Sequence, residues 1–418
     1  MTRPRCILHA IALVVASTAN ASSAHSTRAD AESAFVAARF DEADRTYASM
    51  LARAPRDTLA LLRRGQIALF SNRLADAQAL IEKARAAGAT PVRAAALLGE
   101  IAYRQDDYAT AAAQFKLAGR DAKARKLASF SPARPWQIEG ADSVAIPMLQ
   151  VDPLPLISMT VNGRGPYFFL IDTGGGELAL DPALADTLGL ERFGEEMGTF
   201  AGGKRSAVTQ SRVDSIGLGP LVVHGVPVAL LDTRRFAPIA FGRPVAGVVG
   251  TVFLYHFRAT LDYPRGQLVL MRRGRRAPAA GQIEVPFWMA GDHYMVAAGT
   301  LDSTGTKTWF VDSGMAGPAF TAPVSTLLTA GIPLPDTGNA RTGIGGGGPV
   351  RAAPFRVRRL TLGGAEAGDL LGIFGAFPPT LERGMGFQID GLVSHGFLRA
   401  WSVTFDFDRM RLVLAKPA

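Results

Sequence analysis

Two stretches in the C-terminal two thirds of this chain are copies of each other, and that duplication restricts the possible folds more than any other property of the sequence. At an offset of 144 residues, Gly247-Val248-Val249 through Phe253-Leu254, Thr260, Asp262, Arg265 and Leu268-Val269-Leu270 correspond to Gly391-Leu392-Val393 through Phe397-Leu398, Thr404, Asp406, Arg409 and Leu412-Val413-Leu414. The same offset pairs Arg212-Val213 and Leu218-Gly219 with Arg356-Val357 and Leu362-Gly363. Upstream the offset becomes 140, which sets Leu170-Ile171-Asp172-Thr173-Gly174 opposite Phe310-Val311-Asp312-Ser313-Gly314. Each copy has an apolar strand ending in Asp-Thr/Ser-Gly, then a helix-like stretch (Pro182 to Leu190; Pro323 to Ile332), a glycine-rich hairpin and a closing apolar strand. From Pro132 onward, short apolar runs broken by Gly, Pro and Asp read as all-β structure.

One aspartate per copy, at equivalent places, has a chemical meaning. Hydrolysis of a peptide without a metal or a nucleophilic side chain needs a base to activate water and an acid to protonate the carbonyl oxygen. Two carboxylates about 3 Å apart cannot both ionise, so they share one proton and titrate in separated steps, behaviour for which aspartic peptidases are themselves the reference case. The region from about 140 to 418 resembles the retropepsin-like and pepsin-like aspartic peptidases with both lobes in one chain.

The resemblance implies an all-β, double-lobed barrel domain with lobe 1 at 140–276 and lobe 2 at 282–418. It implies that Asp172 and Asp312 form the catalytic dyad, that Thr173 and Ser313 brace the two loops through their hydroxyls, and that Gly174 and Gly314 let backbone N–H groups approach the carboxylates. It also implies that hairpins around Gly198 to Gly203 and Gly343 to Gly348 close over a substrate, with Phe200, Gly202, Gly203, Ile344 and Gly345 as candidate contacts. The sequence departs from the family pattern in three places. Gly175 and Met315 stand where Ala or Ser is usual, Ser394 stands where the first copy has Gly250, and the flap tyrosine of pepsins has no clear counterpart.

Other motifs point elsewhere and carry less. Asp336-Thr337-Gly338 follows Pro335, has no apolar strand before it and no partner at either offset, so it reads as a turn. Gly343 to Gly348 fits the dinucleotide pattern G-x-G-x-x-G, but no βαβ unit surrounds it. None of the six histidines forms a metal-binding pair at helical spacing, so neither a metal nor any other cofactor is expected. Ser394-His395 lacks the G-x-S-x-G elbow of a serine nucleophile and reads as part of a structural turn. Asp262 and Asp406 precede hairpin turns, where a carboxylate has a structural use.

The N-terminal third, from Ala31 to about Ser129, reads as amphipathic helices that recur every 34 residues: Phe40, Leu74 and Tyr108; Ala43, Ala77 and Ala111; Gly65 and Gly99. This period resembles tetratricopeptide repeats over residues 30–130, which implies a platform recruiting a substrate protein or a partner, with a plain helical spacer as the alternative. The overall expectation is a multidomain chain, an all-α helical repeat followed by the all-β double lobe.

Residues 1–21 read as a cleaved signal peptide, with Arg3 and Arg5, an apolar stretch from Cys6 to Ala16 and Ala19-Asn20-Ala21 at its end. Secretion or a periplasmic location follows, with no transmembrane segment after cleavage, and the single cysteine, Cys6, leaves with the leader. The formal charge of +9 comes from scattered arginines without interleaved aromatics, which argues against a nucleic-acid partner. The one dense cluster, Arg272-Arg273-Gly274-Arg275-Arg276, reads as a solvated linker between the lobes, with contact with anionic envelope polymers as the alternative. The expected activity is peptide-bond hydrolysis by a water between Asp172 and Asp312. The alternative is a non-catalytic peptide-binding or assembly protein that keeps the fold.

Overall fold

The computed structural model describes residues 27–274, 281–379 and 381–416. The expected signal peptide, and Arg275 and Arg276 of the basic cluster, lie outside the described residues.

Among the described residues, helices α1 (Arg28–Val36), α2 (Phe40–Arg53), α3 (Thr58–Phe70), α4 (Leu74–Ala86), α5 (Pro91–Arg104), α6 (Tyr108–Leu117) and α7 (Asp121–Ala128) precede the strands. Their starts are set locally. Thr27 and Asp30 form a capping box, Asp57 and Asp107 accept from the Ala60 and Thr110 amides, and Pro91 opens α5, where its missing N–H costs nothing. The 34-residue recurrence marks where paired helices touch. A Cβ at Gly65 would lie 2.4 Å from Ile81 Cδ1, and one at Gly99 would lie 2.9 Å from Phe115 Cδ1, so only glycine permits the approach of α3 to α4 and of α5 to α6. Ala43, Ala77 and Ala111 are fully buried for the same reason.

The β region begins with Gln137–Gly140. Its eight-stranded sheet is built from the first copy, and its thirteen-stranded sheet joins the second copy to a ribbon contributed by both. In that ribbon the equivalent strands Phe257–Asp262 and Ser402–Asp406 pair antiparallel, with Ala259 opposite Phe405, Thr260 opposite Thr404 and Leu261 opposite Val403. A strand that pairs with its own duplicate in this register has a local twofold axis through the Thr260/Thr404 pair, and their hydroxyl oxygens lie 2.8 Å apart. The ribbon extends symmetrically, through Gln267–Arg272 to Ser143–Pro147 on one side and through Arg411–Ala415 to Ile283–Ala290 on the other. Asp262 and Asp406 accept from the Arg265 and Arg409 amides in the hairpin turns, and Asp336 accepts from the Gly338 amide in a short 3-10 turn.

One expectation needs correction. Arg272 ends a paired strand and sits 3.0 Å from Asp142, while Arg273 binds Asp408 and lies over the Tyr255 ring, so neither belongs to a solvated linker. Sequence charge density does not reveal that carboxylates from two other segments converge on this edge.

The helices pack directly on the β region. Phe35, Phe40 and Phe70 place their rings 6.4, 5.0 and 5.8 Å from that of Phe387, and Phe40 lies 5.5 Å from Trp288. Tyr108 accepts from Trp136 Nε1 at 2.6 Å, and the Gln388 amide donates to Val36 O at 2.7 Å. Part of the helical surface is therefore already occupied by the chain itself. No helix of the described residues is long and apolar enough to cross a membrane.

Candidate active site

In each copy the strand leading into the Asp-Thr/Ser-Gly motif pairs in parallel with the closing apolar strand: Arg164–Ile171 with Val245–Val249, and Lys307–Val311 with Gly391–Val393. The pairing continues one residue further, since the Asp172 amide donates to Val249 O and the Asp312 amide to Val393 O, both at 3.0 Å. Each aspartate thus begins its loop with its backbone held by the sheet.

The two loops meet. Within each, the glycine amide donates to the carboxylate two residues earlier: Gly174 to Asp172 Oδ1 at 2.8 Å and Gly314 to Asp312 Oδ1 at 2.7 Å. Across the interface, a Cβ at Gly174 would fall 2.3 Å from Asp312 Cγ, and one at Gly314 would fall 2.1 Å from Asp172 Cγ. Any side chain at either position would collide with the opposite carboxyl group, so the glycines are what allow the two carboxyl groups to come together. Beneath them, the Thr173 amide donates to Ser313 Oγ at 3.0 Å and the Ser313 amide donates to Thr173 Oγ1 at 2.9 Å. Thr173 Oγ1 in turn donates to Val311 O at 3.4 Å. Both hydroxyl residues are fully buried, so each exchange satisfies a donor that water cannot reach.

Burial is the largest influence on the Asp312 carboxyl, and the neighbouring Asp172 charge adds to it; together they hold Asp312 well above the usual carboxylate range against the opposing Gly314 hydrogen bond. Tyr263 lies beside this floor. Its hydroxyl is raised above the usual phenol range, first by burial and then by the Asp312 and Asp172 charges, while the Ser313 hydroxyl acts in the opposite direction. Tyr294 is pushed up to about 12, by burial first and then by Asp292 and Asp312. Nothing in the sequence singles out either tyrosine; they are found only through proximity to the carboxylates.

The hairpins reach each other. The Gly202 amide donates to Ala376 O at 2.8 Å, and a Cβ at Gly202 would lie 3.2 Å from Val350. The Phe200 ring occupies the space that a side chain at Gly346 would need, at 2.5 Å, while Gly345 faces Ala201 and Gly203 faces Pro379. Phe200 is therefore partly covered by the opposite hairpin, whereas Ile344 stays 42% exposed.

Among the described residues, no three His, Cys, Asp or Glu side chains cluster as a metal set would. An open hollow of about 620 Å³ lined by Asn72, Leu74, Arg104, Tyr255, Arg273, Gly274 and Asp408 contains neither aspartate, so the paired carboxylates and not this hollow mark the candidate site.

Comparison with known families bears on the first copy. Residues 157–253, which include Asp172, match the family model described as Aspartyl protease, supporting an aspartic-protease-like domain with a β-barrel. No curated protein matches the chain.

Proposed function

We propose that the chain is an aspartic endopeptidase, with Asp172 and Asp312 acting on a water between them. The observation that supports this most is the reciprocal approach of each carboxyl group to the other loop's glycine. With one proton shared between the two carboxyls, one aspartate serves as base and its protonated partner as acid. The water oxygen bonds to the peptide carbonyl carbon as the ionised aspartate takes a water proton and the protonated one gives its own to the carbonyl oxygen. In the collapse of the resulting diol the newly protonated aspartate gives its proton to the nitrogen as the C–N bond breaks, and the ionised aspartate takes a proton from a diol hydroxyl, which restores the shared proton. An extended peptide lies in the cleft between two lobes, under the paired hairpins, with Ile344 as the exposed apolar contact.

The helical region, tetratricopeptide-like in its 34-residue interval, recruits a substrate protein or partner through the surface that the β region leaves free. Removal of residues 1–21 releases the protein to the periplasm or the exterior. The test is cleavage of a denatured protein. Wild type cleaves, and Asp172→Ala and Asp312→Ala each lose about 10³-fold or more, in line with removal of an acid or base. Equal residual cleavage by either variant overturns the reading, and peptide binding without cleavage by wild type favours a non-catalytic binding protein of the same fold.

A further inference from the structure

The loop Asp172–Glu177 ends in a charged residue whose side chain is 8% exposed. Its partners come from the helical region: the Lys126 ammonium of α7, itself fully buried, pairs with Glu177, and the Tyr103 hydroxyl of α5 donates to Glu177 Oε1 at 2.6 Å. Lys123, one turn earlier on α7, lies 4.1 Å over the Tyr103 ring and 3.5 Å from Asp292. Asp292 and His293 stand beside Gly176, where a Cβ would be 3.3 Å from a polar atom of each. Arg104 of α5, also buried, donates to Met289 O at 2.6 Å and Gly291 O at 2.5 Å in the same turn of the second copy. The loop's other side is held by the β region, through the Thr251 and Val252 amides to Gly175 O and Gly176 O at 2.9 and 3.0 Å.

This anchor is absent from the duplicated plan. At the offset of 140 the position opposite Glu177 is Gly317, whose amide donates to Pro153 O. Only the first copy carries a charge there, and only the first copy's loop meets the helices through it. A buried ion pair is a weak source of stability compared with an apolar replacement of the same shape, but it fixes geometry. Its location next to one aspartate of the pair gives that geometry a use.

We infer that the helical region is a built-in brace for the Asp172 loop, with Lys126 and Tyr103 as positioning residues that act through Glu177. This rests on the peptidase reading, since a loop needs holding to a fraction of an ångström only if its carboxylate must meet a substrate; misplacement by about 1 Å costs on the order of 10²-fold in rate.

The experiment uses the full chain and compares wild type with Tyr103→Phe, with the double variant Lys126→Met/Glu177→Gln, and with Asp44→Asn as a helical control distant from the loop. Turnover of a denatured protein, thermal midpoint and amide hydrogen exchange across residues 172–177 are measured together. The double variant is expected to lose roughly 10- to 100-fold in kcat with KM within about twofold, to exchange faster at the loop, and to keep the melting behaviour of wild type; Asp44→Asn matches wild type. Unchanged kcat, unchanged loop exchange, or a rate loss matched by loss of folded protein overturns the inference. If the double variant does not fold, Tyr103→Phe, which removes one oxygen, decides by the same readouts. A wild type without turnover counts against the peptidase reading instead, and loop exchange alone then decides whether the brace exists.

Discussion

Ser394 Oγ accepts the Met315 amide at 3.0 Å, whereas at the equivalent position of the first copy, Gly250, a Cβ would fall 2.2 Å from Gly176 O. The two copies therefore solve one local problem in opposite ways. The second loop is held by a side-chain hydroxyl, and the first lies so close to the following backbone that no side chain fits. The asymmetry that departs from the family pattern is thus a difference in how each aspartate loop is supported. Gly250→Ser should push the Asp172 loop outward, lower the melting temperature and reduce cleavage by roughly 10-fold or more, since small displacements of reacting groups are costly. Ser394→Ala should destabilise by about 1–3 kcal/mol through the unpaired amide it leaves. Thermal unfolding and steady-state rates check both.

The exchange between Thr173 and Ser313 predicts a graded series. Thr173→Val or Ser313→Ala strands a buried amide and should cost about 1–3 kcal/mol, with a fall in kcat as the loops separate. Thr173→Ser keeps the oxygen that accepts the Ser313 amide and should stay near wild type. Equal behaviour of the valine and serine variants would show that the hydroxyl does not hold the loops.

Asp312 sets a pH dependence whose sign can be worked out. Its folded-state value is raised above the ordinary 3.8, so the folded protein prefers the protonated carboxyl. The group's contribution to stability is most favourable below the ordinary value and is lost as pH rises through the raised one. Asp312→Asn removes that penalty, so it should melt higher than wild type at pH 7, with the difference disappearing at acid pH. Cleavage by wild type should fall on the alkaline side as the shared proton is lost, above the usual carboxylate range. Melting curves and kcat/KM across pH test the two statements separately.

Phe200 ties one hairpin to the other by filling the space beside Gly346. Phe200→Ala should loosen that contact, raising KM several-fold while leaving the melting temperature nearly unchanged, because the ring is only partly buried. Gly346→Ala should have a similar effect from the opposite side, by displacing the ring. Peptide titration kinetics of both variants check this.

Arg104 is a buried cation that serves three carbonyls, Leu69 O, Met289 O and Gly291 O. Arg104→Met keeps the bulk but removes every donor, and should cost about 3 kcal/mol by leaving those carbonyls short of partners. Denaturant unfolding should show the loss in the helices and the β region together, since this side chain joins them.

The sequence by itself determined the elements that follow from local pattern or from repetition. The 34-residue interval located the helix contacts at Gly65 and Gly99, and the duplication located the six residues of the two aspartate loops. It also distinguished Asp336 from the other two Asp-Thr/Ser-Gly copies, because a loop tip of this kind needs an apolar strand before it. Tertiary structure alone decided the pairing of Thr260 with Thr404, the contact of Phe200 with Gly346, the partners of Arg272 and Arg273, and the union of Lys126 with Glu177. Periodicity records which face of an element is buried, and an internal copy records which positions are equivalent. Neither records which distant side chains come within bonding distance once the elements pack, and the supports of the candidate site depend on that.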